Sequence, residues 1–456
     1  MTVRFTPPFP DPHPAKSSLL RRFLRGWNSW IHVMFEKSYT MKMGEIHLPA
    51  QTFYIANELP LVRRILETEA GQFPKHRFLQ DMLDPLIGNS LFSANGKDWA
   101  DQRAMVNPAF GHTALKTVFP LMADAVDDIV RRMSALDHGQ PVAIDPLMTH
   151  VAADIIFRTL FSVTLDQAGS AEIFDAFEAY QKHSQRGETL KLYRLPQLGY
   201  RRKARRDAAR IHAVFAPVVA DRYAATHDRG ERGNDIVQSL IDARHPETGA
   251  PFTQAQVMEQ VSTIFLAGHE TAASSMTWAL YLLARDPALQ DAIRDEMRAA
   301  AGNAPLAHEH LRGLGVTRNV FRETLRLYPP VSFLVRAVSC PVQMRDKDLK
   351  AGAVLVVSPW LVQRNRDNFP EPHGFDPDRF DDPAQAAPCK HAYLPFGKGP
   401  RVCVGAGFAQ QEALLTIAGI VRRFDLAAIP GDVPEPVSRL TLRAGNGVRL
   451  RLHARD

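Results

Sequence analysis

From Thr253 to Arg285 the chain carries one unbroken helical pattern of about 33 residues, entered through a Thr253/Gln256 capping box and stopped at Asp286-Pro287. At ~1.5 Å per residue this predicts a helix roughly 50 Å long, enough to cross a whole domain. The rest of the chain has to pack around it. Midway along it stand Ala267, Gly268, His269, Glu270 and Thr271. Glycine in a helix interior costs about 1 kcal/mol relative to alanine. An acid and an alcohol beside that weak point predict a local opening with a polar function. The plainer alternative is a kink satisfied by the threonine hydroxyl.

The 456 residues allow one large domain or two ordinary ones, and 45% hydrophobic residues can fill a large core. Helical patterns dominate: residues 114–240 read as helices broken at Gly139, Asp166–Gly169 and Pro196–Gly199, and Val316–Leu327 as another helix. Strand-like runs are short, at Ile46–Leu48, Thr52–Ile55, Val354–Val357, Leu440–Leu442 and Gly447–Leu452. Leu59–Leu66 reads as a short helix and residues 73–95 as irregular. The fold class is therefore mainly α with small β-sheets.

Three cysteines, Cys340, Cys389 and Cys403, form no disulfide framework, which suits a reducing compartment. No Cys-x-x-Cys-His occurs, so covalent haem attachment is not expected. The net charge is +6, yet no nucleic-acid-binding signature accompanies it. An acidic partner docking on a basic face is one reading and dispersed solvated charge the other. Residues 1–18 are a proline-rich lead. In Leu19–Met34, Trp27, Trp30, Ile31 and Met34 share a helical face that packs against the body, with weak membrane-surface contact as the alternative; no apolar run there spans a bilayer. Arg201–Arg210 holds six basic residues, a solvated face or a partner- or membrane-facing patch.

Near the C-terminus, Phe396-Gly397-Lys398-Gly399-Pro400-Arg401-Val402-Cys403-Val404-Gly405 has too much glycine and proline for regular structure. A helical pattern, Ala406–Arg423, follows at once. Cys403 is thus expected on a tight loop at a helix N-terminus, where backbone N–H groups, the helix dipole and Arg401 favour the metal-binding thiolate. A buried structural cysteine on a glycine-rich turn is the alternative.

The pattern Phe-x-x-Gly-x-Arg-x-Cys-x-Gly resembles the haem-binding loop of the cytochrome P450 family. The resemblance implies Cys403 as axial thiolate of haem b, a ligand that favours O–O cleavage, with Phe396, Arg401 and Gly405 also at the cofactor. Ala267–Thr271 is similar to the family's oxygen-activation motif, which assigns Thr271 to hydrogen-bonding dioxygen and Glu270 to relaying protons. Trp99 and Arg103, four apart on one helix face and suited to a carboxylate, match the helix that holds one haem propionate; Arg336 matches the residue reaching the other. Glu323 and Arg326, with Arg379 in the Phe375–Phe380 segment, read alone as a surface ion pair and a separate arginine. The resemblance makes them a buried structural cluster. It also implies a substrate-pocket wall including Phe78, Met82, Phe265, Ala267, Val331, Phe333 and Leu440.

The resemblance spans residues 45–453 and implies a single haem domain over 41–456 behind a lead of residues 1–40, with haem between the long helix and the cysteine loop. It implies monooxygenation of an apolar substrate by O2. No Gly-x-Gly-x-x-Gly fingerprint marks a reductase, so electrons are expected from NAD(P)H through a reductase and a separate ferredoxin or flavodoxin, to a cytoplasmic monomer without a transmembrane anchor. A peroxide-using enzyme of the same fold remains open, with Glu270-Thr271 against it, as does a haem-thiolate sensor without turnover.

Overall fold

A computed structural model describes residues 3–14, 17–166, 170–197 and 199–455. The expected long helix runs from Gln254 to Leu283 without a break. Its capping box is formed: Gln256 N–H donates to Thr253 Oγ1 at 3.3 Å and Thr253 N–H to Gln256 Oε1 at 2.9 Å. Almost every residue beyond its first turn is buried. It packs against the helices Ile144–Phe161, Tyr200–Asp228, Gly315–Leu327 and Ala406–Arg423. Hydrophobic burial at roughly 25 cal/mol per Å² explains why so apolar a helix lies at the centre.

The local opening expected at Gly268 is not present. A Cβ on Gly268 would stand 2.5 Å from Ile156 Cδ1, so the glycine lets the Ile144–Phe161 helix approach closely. Thr271 Oγ1 donates to Ala267 O at 2.7 Å, bonding back onto its own helix without breaking it.

Residues 73–95 are not irregular throughout: Arg77–Ile87 is a helix despite Pro85, with Phe78, Met82, Leu83, Leu86 and Ile87 buried. Those positions are helically spaced, and proline in the chain had masked the period. Leu59–Arg63 is the expected short helix. In the 114–240 region, helices occupy His112–Ser134, Ile144–Phe161, Ser170–Leu192, Tyr200–Asp228 and Ile236–Asp242. The expected breaks at Asp166–Gly169 and Pro196–Gly199 fall partly on residues 167–169 and 198, outside the described residues.

The β component is small. A four-stranded sheet runs Met43–His47, Thr52–Ala56, Val354–Val357, Leu334–Ala337, with the middle pair parallel and the outer pairs antiparallel. Near the C-terminus a hairpin pairs Pro436–Ser438 with Leu442–Ala444, and its second strand packs on the central helix. The face bearing Ile31 and Met34 is buried, so this stretch packs inward as expected. The preceding helix, Leu19–Gly26, turns its leucines outward.

Candidate active site

The Cys403 loop is built by hydrogen bonds within the glycine-rich segment. Cys403 N–H donates to Phe396 O at 2.9 Å, Val402 N–H to Gly399 O at 3.0 Å and Gly397 N–H to Leu394 O at 3.1 Å. Gly399 has φ +70°, and a Cβ there would meet Leu66 O at 1.9 Å, so only glycine allows the loop to lie against residues 66–67. Gly405 caps the helix Ala406–Arg423 directly after the cysteine.

Cys403 is exposed, and the rest of its loop from Phe396 to Gly405 is half-buried or exposed. Burial pushes its thiol up, while the Gly405 N–H, Arg103 and Lys75 pull it down. The Gly405 N–H acts in the expected direction, and desolvation acts against it. Arg401 is not the cation at the sulfur. It turns to Ala94 O (3.1 Å) and Asn95 Oδ1 (2.8 Å) and lies 4.4 Å over the Trp99 ring.

Four cations gather on this side. Arg103 Nη1 donates to Val402 O at 2.7 Å, one residue from Cys403, and its Nε to Asn107 Oδ1 at 2.6 Å. Arg336 is 7% exposed, and its side chain reaches only its neighbour's carbonyl, Val335 O, at 3.1 Å. Burial, with Arg401 nearby, brings it down to about 10. Burial also brings Arg401 down to about 10. Lys75, which sequence reasoning missed, pairs its backbone with Arg336 and places Nζ 2.5 Å from Phe92 O. Burial and then Arg336 and Arg401 push Lys75 well below its usual range. The only sequence signal for Lys75 was one basic residue after Phe73-Pro74. Among the described residues no carboxylate pairs with any of these four cations. Like charges so placed call for an external anion of at least two charges.

On the central helix, Ala267 is exposed beside the buried Leu266, and Gly268 and Thr271 are half-buried, so this face borders an internal space. Glu270 is 5% exposed and turns to the C-terminal hairpin. It accepts from Arg443 Nε at 2.9 Å, from Arg443 Nη2, and from Thr441 Oγ1 at 2.9 Å. Burial alone would raise this carboxyl, but Arg443 and His269 outweigh it and hold it below the usual range. Arg443 is itself 36% exposed, so the ion pair joins a buried acid to a side chain that reaches solvent. Neither Arg443 nor Thr441 belongs to a motif readable in the sequence.

Of the expected pocket wall, Phe78 and Phe333 come together, each packing on Trp30 with ring centroids 6.1 and 6.5 Å away. They line an apolar cavity of about 120 Å³ with Phe53, Ile55, Tyr193 and Val356. Val331 and Leu440 are half-buried. Two expectations are corrected. Phe265 is fully buried against Phe177 (5.2 Å) and Phe215 (5.0 Å), because it lies on the helix face opposite the internal space. Met82 lines a separate, polar cavity of about 270 Å³ with Arg77, Asp81, His183 and Glu188, because its helix turns that side toward Ser170–Leu192.

Glu323, Arg326 and Arg379 form the cluster, not a surface pair, and each is 0–1% exposed. Arg326 grips Glu323 through Nε and Nη2, both at 2.7 Å, and Arg379 Nε reaches the same carboxylate at 3.1 Å.

The sequence profile of the cytochrome P450 family matches residues 7–448, nearly the whole chain. The chain belongs to the cytochrome P450 family. Among its relatives, cyclooctatin synthase of Streptomyces melanosporofaciens is 30% identical over 407 residues, 88% of this chain and 86% of the relative. Cyclooctat-9-en-7-ol 5-monooxygenase of the same organism is 30% identical over 426 residues, covering 92% and 90%. Taurochenodeoxycholic 6 alpha-hydroxylase of Sus scrofa is 31% identical over 403 residues, covering 83% and 78%. This P450 is a haem-thiolate monooxygenase that uses haem b and O2, in a family whose electrons generally pass from NAD(P)H through a redox partner. No helix among its described residues is long and apolar enough to cross a membrane.

Proposed function

We propose that Cys403 ligates the haem iron, that Lys75, Arg103, Arg336 and Arg401 with Trp99 surround the propionates, and that Glu270 and Thr271 manage protons. The observation that carries this reading is the set of four cations, without a carboxylate partner among the described residues, on the side of the Cys403 loop, which fits a dianionic group held at the cysteine. Haem, when bound, would supply dioxygen activation at iron, and the Cys403 thiolate would supply the electron density that favours O–O cleavage. Glu270 holds its negative charge against Arg443 and exchanges protons with solvent on the half-exposed Arg443 side. The Thr271 hydroxyl donates to Ala267 O, which leaves its oxygen lone pairs free to accept a proton on the side of the internal space. The substrate is an apolar molecule that packs against Phe78 and Phe333 in a cavity whose lining is apolar apart from Arg22 and Thr189. Cys403→Ser should abolish the red-shifted absorption of the reduced, carbon-monoxide-bound protein, while Cys340→Ser and Cys389→Ser leave it intact. An unchanged spectrum in Cys403→Ser refutes the assignment.

We further propose a cytoplasmic monomer that takes its electrons from a ferredoxin or flavodoxin; the net charge of +6 supports the docking of an acidic partner. The protein also touches anionic lipid surfaces weakly through the Leu19–Gly26 helix. Leu19, Leu20 and Leu24 are 46%, 67% and 60% exposed, and Leu195 is 45% exposed in a loop anchored to that helix by Phe23 on Tyr193 at 4.8 Å. Arg21 and the basic run Arg201–Arg206 carry exposed cations on the same protein. Co-sedimentation with phosphatidylglycerol vesicles should exceed that with phosphatidylcholine and fall in a Leu20→Ser/Leu24→Ser variant. Equal sedimentation of variant and parent refutes this contact.

A further inference from the structure

Behind the Glu323 cluster lies a buried guanidinium that the P450 reaction does not use. Arg364 is 2% exposed. Its Nε and Nη1 are buried and have no hydrogen-bond partner among the described residues. One face stacks on Trp360, with Cζ 3.5 Å from the ring centroid. Stacking offsets some of the charge, but guanidinium N–H bonds lie in its plane, so an aromatic face cannot accept them. Unpartnered donors of this kind cost about 1–3 kcal/mol each, more when charged, and native proteins fill such places with water or an ion.

The neighbours of Arg364 supply further donors and no free carboxylate. Tyr39, 7% exposed, accepts from Trp360 Nε1 at 3.0 Å, and its own hydroxyl proton has no acceptor among the described residues. His373 lies 6.0 Å from Tyr39, ring to ring, and its buried Nδ1 is likewise unpartnered. Burial, then Arg364 and Arg326, bring His373 down to about 4, so it is neutral and able to carry a proton on Nδ1. The Tyr328 hydroxyl is already committed to Pro8 O at 2.7 Å.

Charge points the same way. Arg326, Arg364 and Arg379 stand against Glu323 and Asp376, which leaves one positive charge in excess even with both acids ionised. Neutral water would satisfy N–H groups but not that excess, and a monovalent anion meets both needs. We propose that Arg364, together with Tyr39 and His373, forms a binding site for a small monovalent inorganic anion of the chloride class. The site lies under the N-terminal lead, since Phe9 stacks on His373 at 4.3 Å and Phe375 O accepts from Arg4 N–H at 3.0 Å. A bound anion therefore fastens the lead to the core of the fold.

The test uses the holoenzyme, purified and kept in gluconate, an organic anion much larger than a halide. Chloride or bromide, exchanged for gluconate at constant pH and ionic strength, should raise the melting temperature along a saturating curve. Crystals grown in bromide should show an anomalous peak in contact with Arg364 Nε or Nη1. A melting temperature indifferent to the exchange, or water density without an anomalous peak at Arg364, overturns the proposal. Arg364→Met should fold, because replacing a buried ion by an apolar side chain of similar volume is often neutral, and should lose the halide response. A halide response that persists in that variant places the effect elsewhere and also overturns it. If Arg364→Met does not fold, the exchange series and the anomalous peak on the unmodified enzyme decide alone.

Discussion

Glu323→Ala should unfold or nearly unfold the protein, and the geometry sets the scale. The carboxylate accepts from Arg326 Nε and Nη2 at 2.7 Å, from Arg379 Nε at 3.1 Å and from Asp376 N–H at 3.1 Å. Hydrogen bonds to charged groups contribute about 1.5–3 kcal/mol each, but these share partners and do not add. Arg326 keeps the carbonyls of Gln363, Pro372 and Gly374, and Arg379 keeps Pro370 O. What the substitution removes is the charge balance of two fully buried guanidiniums, a loss of about 3–5 kcal/mol. Against a total of about 5–15 kcal/mol for a folded domain, that is a fifth or more. Glu323→Gln keeps the shape and one acceptor and should lose about 1.5–3 kcal/mol. Urea unfolding followed by circular dichroism, with the haem content of the soluble fraction, measures both. A triple variant with Glu323→Ala, Arg326→Met and Arg379→Met should recover much of the loss, since no charge is then stranded. A Glu323→Ala midpoint within about 0.5 kcal/mol of the parent, the range of an ordinary surface change, would refute the buried-charge argument.

Thr271→Ala should keep fold and haem but yield less product per NAD(P)H oxidised and more hydrogen peroxide; an unchanged ratio means the hydroxyl takes no part. Glu270→Gln should slow turnover about 10²–10⁴-fold if proton transfer limits the rate. Arg443→Leu leaves Glu270 buried without its counter-ion, so the carboxyl rises above its usual range. Because the folded value of Glu270 in the parent is depressed, its ion pair stabilises above the ordinary glutamate range and is lost as pH falls through the folded value. The parent should therefore hold its melting temperature from neutral pH down to the ordinary glutamate range and lose it only below, whereas Arg443→Leu starts lower at neutral pH and regains part of the difference as pH falls and the raised Glu270 carboxyl takes up its proton. Identical melting-temperature profiles would refute the clamp.

Much of this molecule was legible in one dimension because the determinants are local. The central helix declared itself through its period and its capping box, and the Cys403 loop through glycines that a neighbouring backbone leaves no room to replace. The fold class followed from the length of the helical runs, and the strand Val354–Val357 from its β-branched composition. Spacing likewise brought Glu323 and Arg326 onto one face, but whether that face was wet or dry is a property of the packed core, and it alone turned a weak surface pair into a cluster sensitive to a single deletion. Tertiary structure also decided which way each helix turned. It sent Phe265 into the aromatic core, Met82 to a polar cavity and the leucines of Leu19–Gly26 outward. Lys75, Arg443 and Arg364 carry their significance through partners 170 or more residues away in two cases and through burial in the third. No local pattern marks such residues, since charge, desolvation and hydrogen-bond satisfaction are settled only when distant segments close around them.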